Sequence, residues 1–153
     1  MSNIRQVAKN MQKPNIYLDI DGVILANEDN LSIGAEELIK YAVENFDVYW
    51  LTTHCTESDA THAINYVMRA GSESLRQHLE KLIPTSWREY KTEAIDFSKP
   101  FLWFDDDCYL SERRDLEKNN AFNSWIEVDL RNYPDQLMRE IKLLESFVED
   151  NGK

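Results

Sequence analysis

Short apolar runs alternate along the chain with stretches whose apolar residues recur every three or four positions. Ile16-Tyr17-Leu18-Asp19-Ile20 is the first run, rich in β-branched and aromatic residues and bounded by Pro14 and Gly22, and it predicts a buried strand. Leu38, Ile39, Ala42, Val43 and Phe46 then repeat at helical spacing, predicting a helix from Gly34 to Asn45, with Glu36 and Glu37 early in it, where the dipole favours anions. Asp47–Leu51 predicts a second strand. Thr56 and Asp59 have the spacing of a capping box, which predicts a helix with Ala60, Ala63, Ile64, Val67 and Met68 on its apolar face and Gly71 at its stop. Leu75, Leu79 and Leu82 mark another helix, ended by Pro84, and Thr92–Phe97 a short one. Phe101–Phe104 and Trp125–Val128 predict the third and fourth strands. A last helix starts near Pro134 and carries Leu137, Ile141, Leu144 and Val148.

Strands alternating with helices predict an α/β fold with a central, mostly parallel sheet covered on both faces. The 153 residues show no repeat and no Pro/Gly-rich linker, so one domain is expected, its core over about residues 14–149. Lysine and arginine number 17 against 28 aspartates and glutamates, a net charge of −11 that repels phosphate backbones and anionic lipid. Nucleic acid and membranes are therefore disfavoured as partners. Cys55 and Cys108 have no metal-ligand spacing and read as free packing thiols of a reducing compartment. Met1-Ser2-Asn3-Ile4-Arg5-Gln6 carries no apolar secretory core, and no apolar run reaches the roughly 18 residues of a membrane span, so a cytoplasmic location is expected.

In parallel sheets the ligand site lies beyond the carboxyl ends of the strands. Here those ends read Asp19-Ile20-Asp21-Gly22, Thr52-Thr53-His54 and Asp105-Asp106-Asp107. Alternation puts Asp19 and Asp21 on one side of the backbone, with Gly22 permitting a sharp turn. Either acidic cluster alone is a turn or a solvated loop. Together, after apolar strands that share an edge, they demand a counter-charge, and a hard divalent cation is the usual one, magnesium first among them.

At these residues the chain resembles the haloacid dehalogenase (HAD) superfamily. Asp19-Ile20-Asp21-Gly22-Val23-Ile24 is similar to its first motif, Leu51-Thr52 to its second and Phe104-Asp105-Asp106 to its fourth, in the right order between about Ile16 and Val128. The resemblance implies a three-layer α/β/α, Rossmann-like fold and a phosphatase of the small, uncapped type. Asp19 would be the nucleophile forming an aspartyl-phosphate and Asp21 the general acid and base. Thr52 would donate its hydroxyl to the phosphoryl group. Mg²⁺ would be held by the Asp19 carboxylate, the Asp21 backbone carbonyl and Asp106, with Asp105 supporting and Asp107 a loop carboxylate.

The family's third motif is a lysine, and Lys81, Lys91 and Lys99 all precede the third strand. Lys99 sits at its amino end, on the wrong edge of the sheet, and Lys81 belongs to the preceding helix. Lys91 begins the short helix that descends from the edge where the acids lie, and takes the role. Thr53 and His54 are candidate substrate contacts, His54 equally a strand-end hydrogen bonder. His62 reads as solvated, His78 as a core-edge histidine, and Trp50 and Trp103 as core. Between Asp21 and the second strand, a helix and a short flap use the roughly 25 residues available, too few for a cap with its own core. The two helices between Thr52 and Lys91 have single apolar faces of the kind that pack on a sheet. The expected activity is hydrolysis of a phosphorylated substrate. The competing expectations are a non-catalytic HAD-like binding or regulatory module and a nucleotidase-type enzyme acting on small phosphate esters.

Overall fold

A computed structural model describes residues 13–152. The segment Met1–Gln6, expected to carry no secretory signal, lies outside the described residues. Strand β1 (Asn15–Leu18) is flanked by β4 (Asp47–Trp50) and β5 (Phe101–Asp105), and β6 (Trp125–Glu127) pairs with β5. Every pairing in this four-stranded sheet is parallel, with Leu18 opposite Trp50 on one side and Phe104 on the other. β2 (Leu25–Asn27) and β3 (Asn30–Leu31) form a separate antiparallel hairpin just after Asp21. The helices are α1 (Ala35–Asn45), α2 (Thr61–Met68), α3 (Glu73–Leu79), α4 (Leu110–Lys118) and α5 (Gln136–Gly152).

Strand alternation sends successive side chains to opposite faces, and each face has its own core. Ile16, Leu18, Val48, Trp50, Leu102 and Phe104 pack with the apolar residues of α1, α2, α3 and α5. Tyr17, Phe101 and Trp103 pack on the other face with Leu51, Ile95, Cys108 and Leu116 of α4. Helices therefore cover both sides of the sheet. α1 and α5 lie against each other, with Phe46 and Phe147 stacked at 5.8 Å and Gly34 allowing the backbone of Met138 to come close. Trp50 and Trp103 are wholly buried, as the sequence predicts, although their indole N–H groups find no acceptor among the described residues. Each such orphan costs about 1–3 kcal/mol, which the burial of a large ring offsets.

Three local expectations need correction, and one helix has no counterpart in the sequence reading. The helix predicted to open at Thr56 starts at Thr61, because Glu57 pairs instead with Ser86 in an isolated bridge. Its N-cap is Ala60, with no side-chain cap; Asp59, one residue earlier, accepts from the Thr61 amide at 2.9 Å and hydroxyl at 2.8 Å. Thr92–Phe97 is no α-helix: a single 3₁₀ turn covers Lys91–Ala94 and Ile95 is already extended. The third helix ends at Leu79, so Leu82 joins the core from the loop beyond it. Finally, α4 was not predicted, since Leu110-Ser-Glu-Arg-Arg-Asp-Leu-Glu-Lys118 has no apolar stripe; its buried residues are Glu112 and Leu116. Among the described residues no helix is long and apolar enough to cross a membrane. Between Thr52 and Lys91, Ala63, Val67, Leu75 and Leu79 all enter the core of the sheet rather than one of their own.

Candidate active site

The strand order β4-β1-β5-β6 reverses direction at β1: the chain leaves β1 for β4 on one side and returns to β5 on the other. Such a reversal opens a crevice at the carboxyl end of the strands. Asp19 stands there directly after β1, its amide still donating to Phe104 O at 3.1 Å, and Asp105 closes β5 with its carbonyl accepting from Val128 N at 3.0 Å. The sheet ladder thus fixes both backbones, and both carboxylates are buried, at 7% and 2% exposure.

Between these two acids lies one ammonium. Lys91 Nζ is 2.6 Å from Asp105 Oδ2 and 3.3 Å from Asp19 Oδ1. Lys99 is at the amino end of β5 and Lys81 is exposed, so the lysine chosen from topology is the one brought to the acids. Carboxylates hold its turn in place. Glu93 accepts from the amides of Arg88, Glu89 and Tyr90. Glu112 of α4, itself buried, accepts from Lys91 N at 2.8 Å and Tyr109 N at 2.9 Å. Asp115, one turn further along, accepts from the Thr92 hydroxyl at 2.6 Å. The helix invisible to hydrophobic periodicity is therefore the one that anchors the lysine.

Burial pushes the Asp105 carboxyl up to about 9, with the Asp19 charge adding to the effect, and burial raises Asp19 as well. Burial pulls the Lys91 ammonium down, but Asp19 and Asp105 outweigh it and hold its pKa above the ordinary lysine value. One lysine cannot neutralise this cluster once it ionises. A further cation fits: ligand oxygens of Asp19, Asp105 and Asp106 lie within 4.8 Å of one another, an all-oxygen set suited to a hard divalent ion. Within the trio the roles differ. Asp105 is engaged, Oδ2 by Lys91 and Oδ1 by the Asp107 amide at 3.1 Å, whereas exposed Asp106 makes no side-chain hydrogen bond among the described residues. Asp107 stands apart, its Oδ1 accepting from Cys108 N.

The Asp21 carboxylate is outside that trio. Tyr66 donates to its Oδ1 at 2.9 Å, and His54 Nε2 lies 2.9 Å from its Oδ2. His54 Nδ1 is in turn 3.3 Å from His62 Nε2, and the His54 and Tyr66 rings stack at 3.8 Å. His62, expected to be merely solvated, is exposed yet backs His54; the correction follows from α2 leaning over the end of β4. Nothing in the linear pattern marked Tyr66, although its i+4 offset from His62 places both on one side of α2.

A cavity of about 350 Å³ collects Asp19, Asp21, Thr53, Lys91, Asp105 and Asp106, together with Trp87, Glu89, Asp107, Tyr109 and Glu112. Thr52 is not among its walls. Its hydroxyl is buried and accepts from the His54 amide at 3.2 Å, while the exposed Thr53 faces the cavity. Of the two threonines that follow β4, Thr53 is therefore the one that borders the cavity. His54 lines an adjoining hollow with Thr53 and His62. Both thiols are buried, and burial raises their pKa, that of Cys108 to about 12, which makes them packing groups as the sequence predicts. No family model, curated protein or solved structure matches the chain.

Proposed function

We propose that the chain is a Mg²⁺-dependent phosphohydrolase of the haloacid dehalogenase type, with that family's three-layer α/β/α fold and no cap, which cleaves phosphoric monoesters through an aspartyl-phosphate on Asp19. One observation carries this: a buried carboxylate at the sheet's switch point faces a single ammonium, with two further acids within 4.8 Å of it. Ion pairs that only stabilise a fold do not bury two carboxylates against one lysine with a third acid beside them, because the desolvation is not repaid. Such a cluster suits a site that binds both a cation and a phosphoryl group.

In the first step an Asp19 oxygen attacks phosphorus and the ester P–O bond breaks, its electron pair going to the leaving oxygen. Asp21 gives that oxygen its proton, so the alcohol departs neutral. In the second step the Asp21 carboxylate takes a proton from the water that attacks phosphorus, and the acyl-phosphate bond breaks to release phosphate and restore Asp19. Lys91 and the Thr53 hydroxyl hold the phosphoryl oxygens. Mg²⁺ on Asp19, Asp106 and the Asp21 carbonyl would supply charge neutralisation at those oxygens.

Seven carboxyl groups and one lysine line the cavity, which disfavours polyanions such as nucleic acid ends more strongly than a single phosphate ester. The test is phosphate release from an aryl phosphate with and without Mg²⁺. Metal-dependent release that is lost in Asp19→Asn is expected. Binding of phosphate without turnover across a panel of phosphorylated metabolites, nucleotides and phosphopeptides would assign the chain to the non-catalytic class instead.

A further inference from the structure

We infer that His54 and Tyr66 are positioning residues for Asp21, fixing its carboxyl for proton transfer to the leaving oxygen, with His62 fixing His54. The premise is the phosphohydrolase function proposed above, in which Asp21 is the acid. Two segments remote in the chain, 33 and 45 residues from Asp21, bring a ring nitrogen and a phenol to its two oxygens, each at 2.9 Å. The Asp21 side chain is 57% exposed. Hydrogen bonds to so exposed a carboxylate add little to stability, so their effect is on orientation. A carboxyl group offers about four lone-pair positions, and His54 and Tyr66 take one on each oxygen, which leaves each oxygen a place for the proton.

The holders are themselves held. The two rings stack at 3.8 Å with 20° between their planes, Arg69 lies over the Tyr66 ring at 5.5 Å, and His62 Nε2 meets the far nitrogen of His54. Asp21 follows the sheet on a two-residue lead into the Gly22 turn, and its backbone alone leaves the side chain free to rotate. In an uncapped site no second domain closes to set the acid's rotamer. Helix α2 does so from within the core domain.

A group that orients the acid has a signature that general loosening of the site lacks. Leaving oxygens of high basicity need the proton and those of low basicity do not. Rates are to be measured with phenyl phosphate and with 2,4-dinitrophenyl phosphate for the unaltered protein, Tyr66→Phe, His54→Gln and Asp21→Asn. Tyr66→Phe keeps the stacked ring and removes only the hydroxyl. It is expected to lose about 10-fold on phenyl phosphate and less than about 3-fold on the dinitrophenyl ester, a smaller version of the Asp21→Asn pattern. On an Asp21→Asn background Tyr66→Phe should change neither rate further. Equal losses on both esters, or a gain on phenyl phosphate, in a Tyr66→Phe protein of unchanged melting temperature overturns the positioning role and leaves the hydrolase standing. Absence of turnover by the unaltered protein on either ester and on the wider panel removes the hydrolase, and this role with it.

Discussion

Gly22 and Asp106 are packed so closely that a Cβ on Gly22 would lie 2.6 Å from Asp106 Oδ2. Gly22 also has a φ of 77°, a conformation that L side chains resist by about 1–2 kcal/mol. The turn after the first acidic motif is thus shaped against a carboxylate of the other. Gly22→Ala is expected to lose that strain energy in stability and, because Asp106 must move aside, to weaken Mg²⁺ binding as well. Thermal unfolding and calorimetric Mg²⁺ titration check the two effects separately; an unchanged Mg²⁺ affinity would show that Asp106 is not a ligand.

Asp106→Ala should weaken Mg²⁺ binding far more than Asp107→Ala. Asp106 belongs to the trio of converging oxygens, whereas Asp107 spends a carboxylate oxygen on the Cys108 amide. The reverse order in calorimetry would move the metal to the loop.

Stability of the metal-free protein should fall as pH rises from about 5 to about 8. The sign follows from Asp105, which burial and Asp19 push up to about 9 when folded, against about 3.9 in an unfolded chain. In that window the folded protein holds a proton that the unfolded chain lacks. The stabilisation is complete below the unfolded value and is lost as pH rises through the folded one. Asp59, Glu93, Asp96 and Asp129, whose hydrogen bonds lower their pKa, finish titrating below the window and do not offset the fall. Melting temperatures in EDTA across the window should decline, and the rise on adding Mg²⁺ should grow with pH. A flat metal-free profile would contradict this.

Asp19→Asn is expected to abolish turnover without lowering the metal-free melting temperature, since it removes a buried charge while Asp105 keeps Lys91 paired at 2.6 Å. Glu112→Gln should behave differently. One side of the amide is a donor, so either Lys91 N or Tyr109 N loses its acceptor in a buried place, at a cost of about 1–3 kcal/mol. Both stability and turnover should drop. Full activity in Glu112→Gln would show that Lys91 needs no anchoring from α4.

The strands and the helices on the α1 face could be read from the sequence because burial imposes a period, as Ile16 and Leu18 or Leu38, Ile39 and Ala42 show. The positions of Asp19, Asp105 and Lys91 followed from topology, since parallel strands end on one edge. What escaped was held by polar contacts, which have no period. α4 earns its place through Glu112 and Asp115 rather than an apolar face, and Tyr66 and His62 meet Asp21 and His54 only through space. The Thr52-Thr53 step shows the same limit: which of two adjacent threonines borders a cavity depends on how the chain turns after β4, where Thr52 and Cys55 form a bridge.

The place of β5 in the sheet bears on how the protein is made. β1, whose four residues are all buried, can pair with β4 early in synthesis, but its other edge stays bare until Phe101–Asp105 arrives. Until then the growing chain displays an unpaired, apolar strand edge, the kind that templates pairing between chains. It also carries Asp19 with neither Asp105 nor Asp106 beside it. A chain halted before Phe101 would therefore expose that edge, and self-association is expected to be concentrated in that interval of its synthesis.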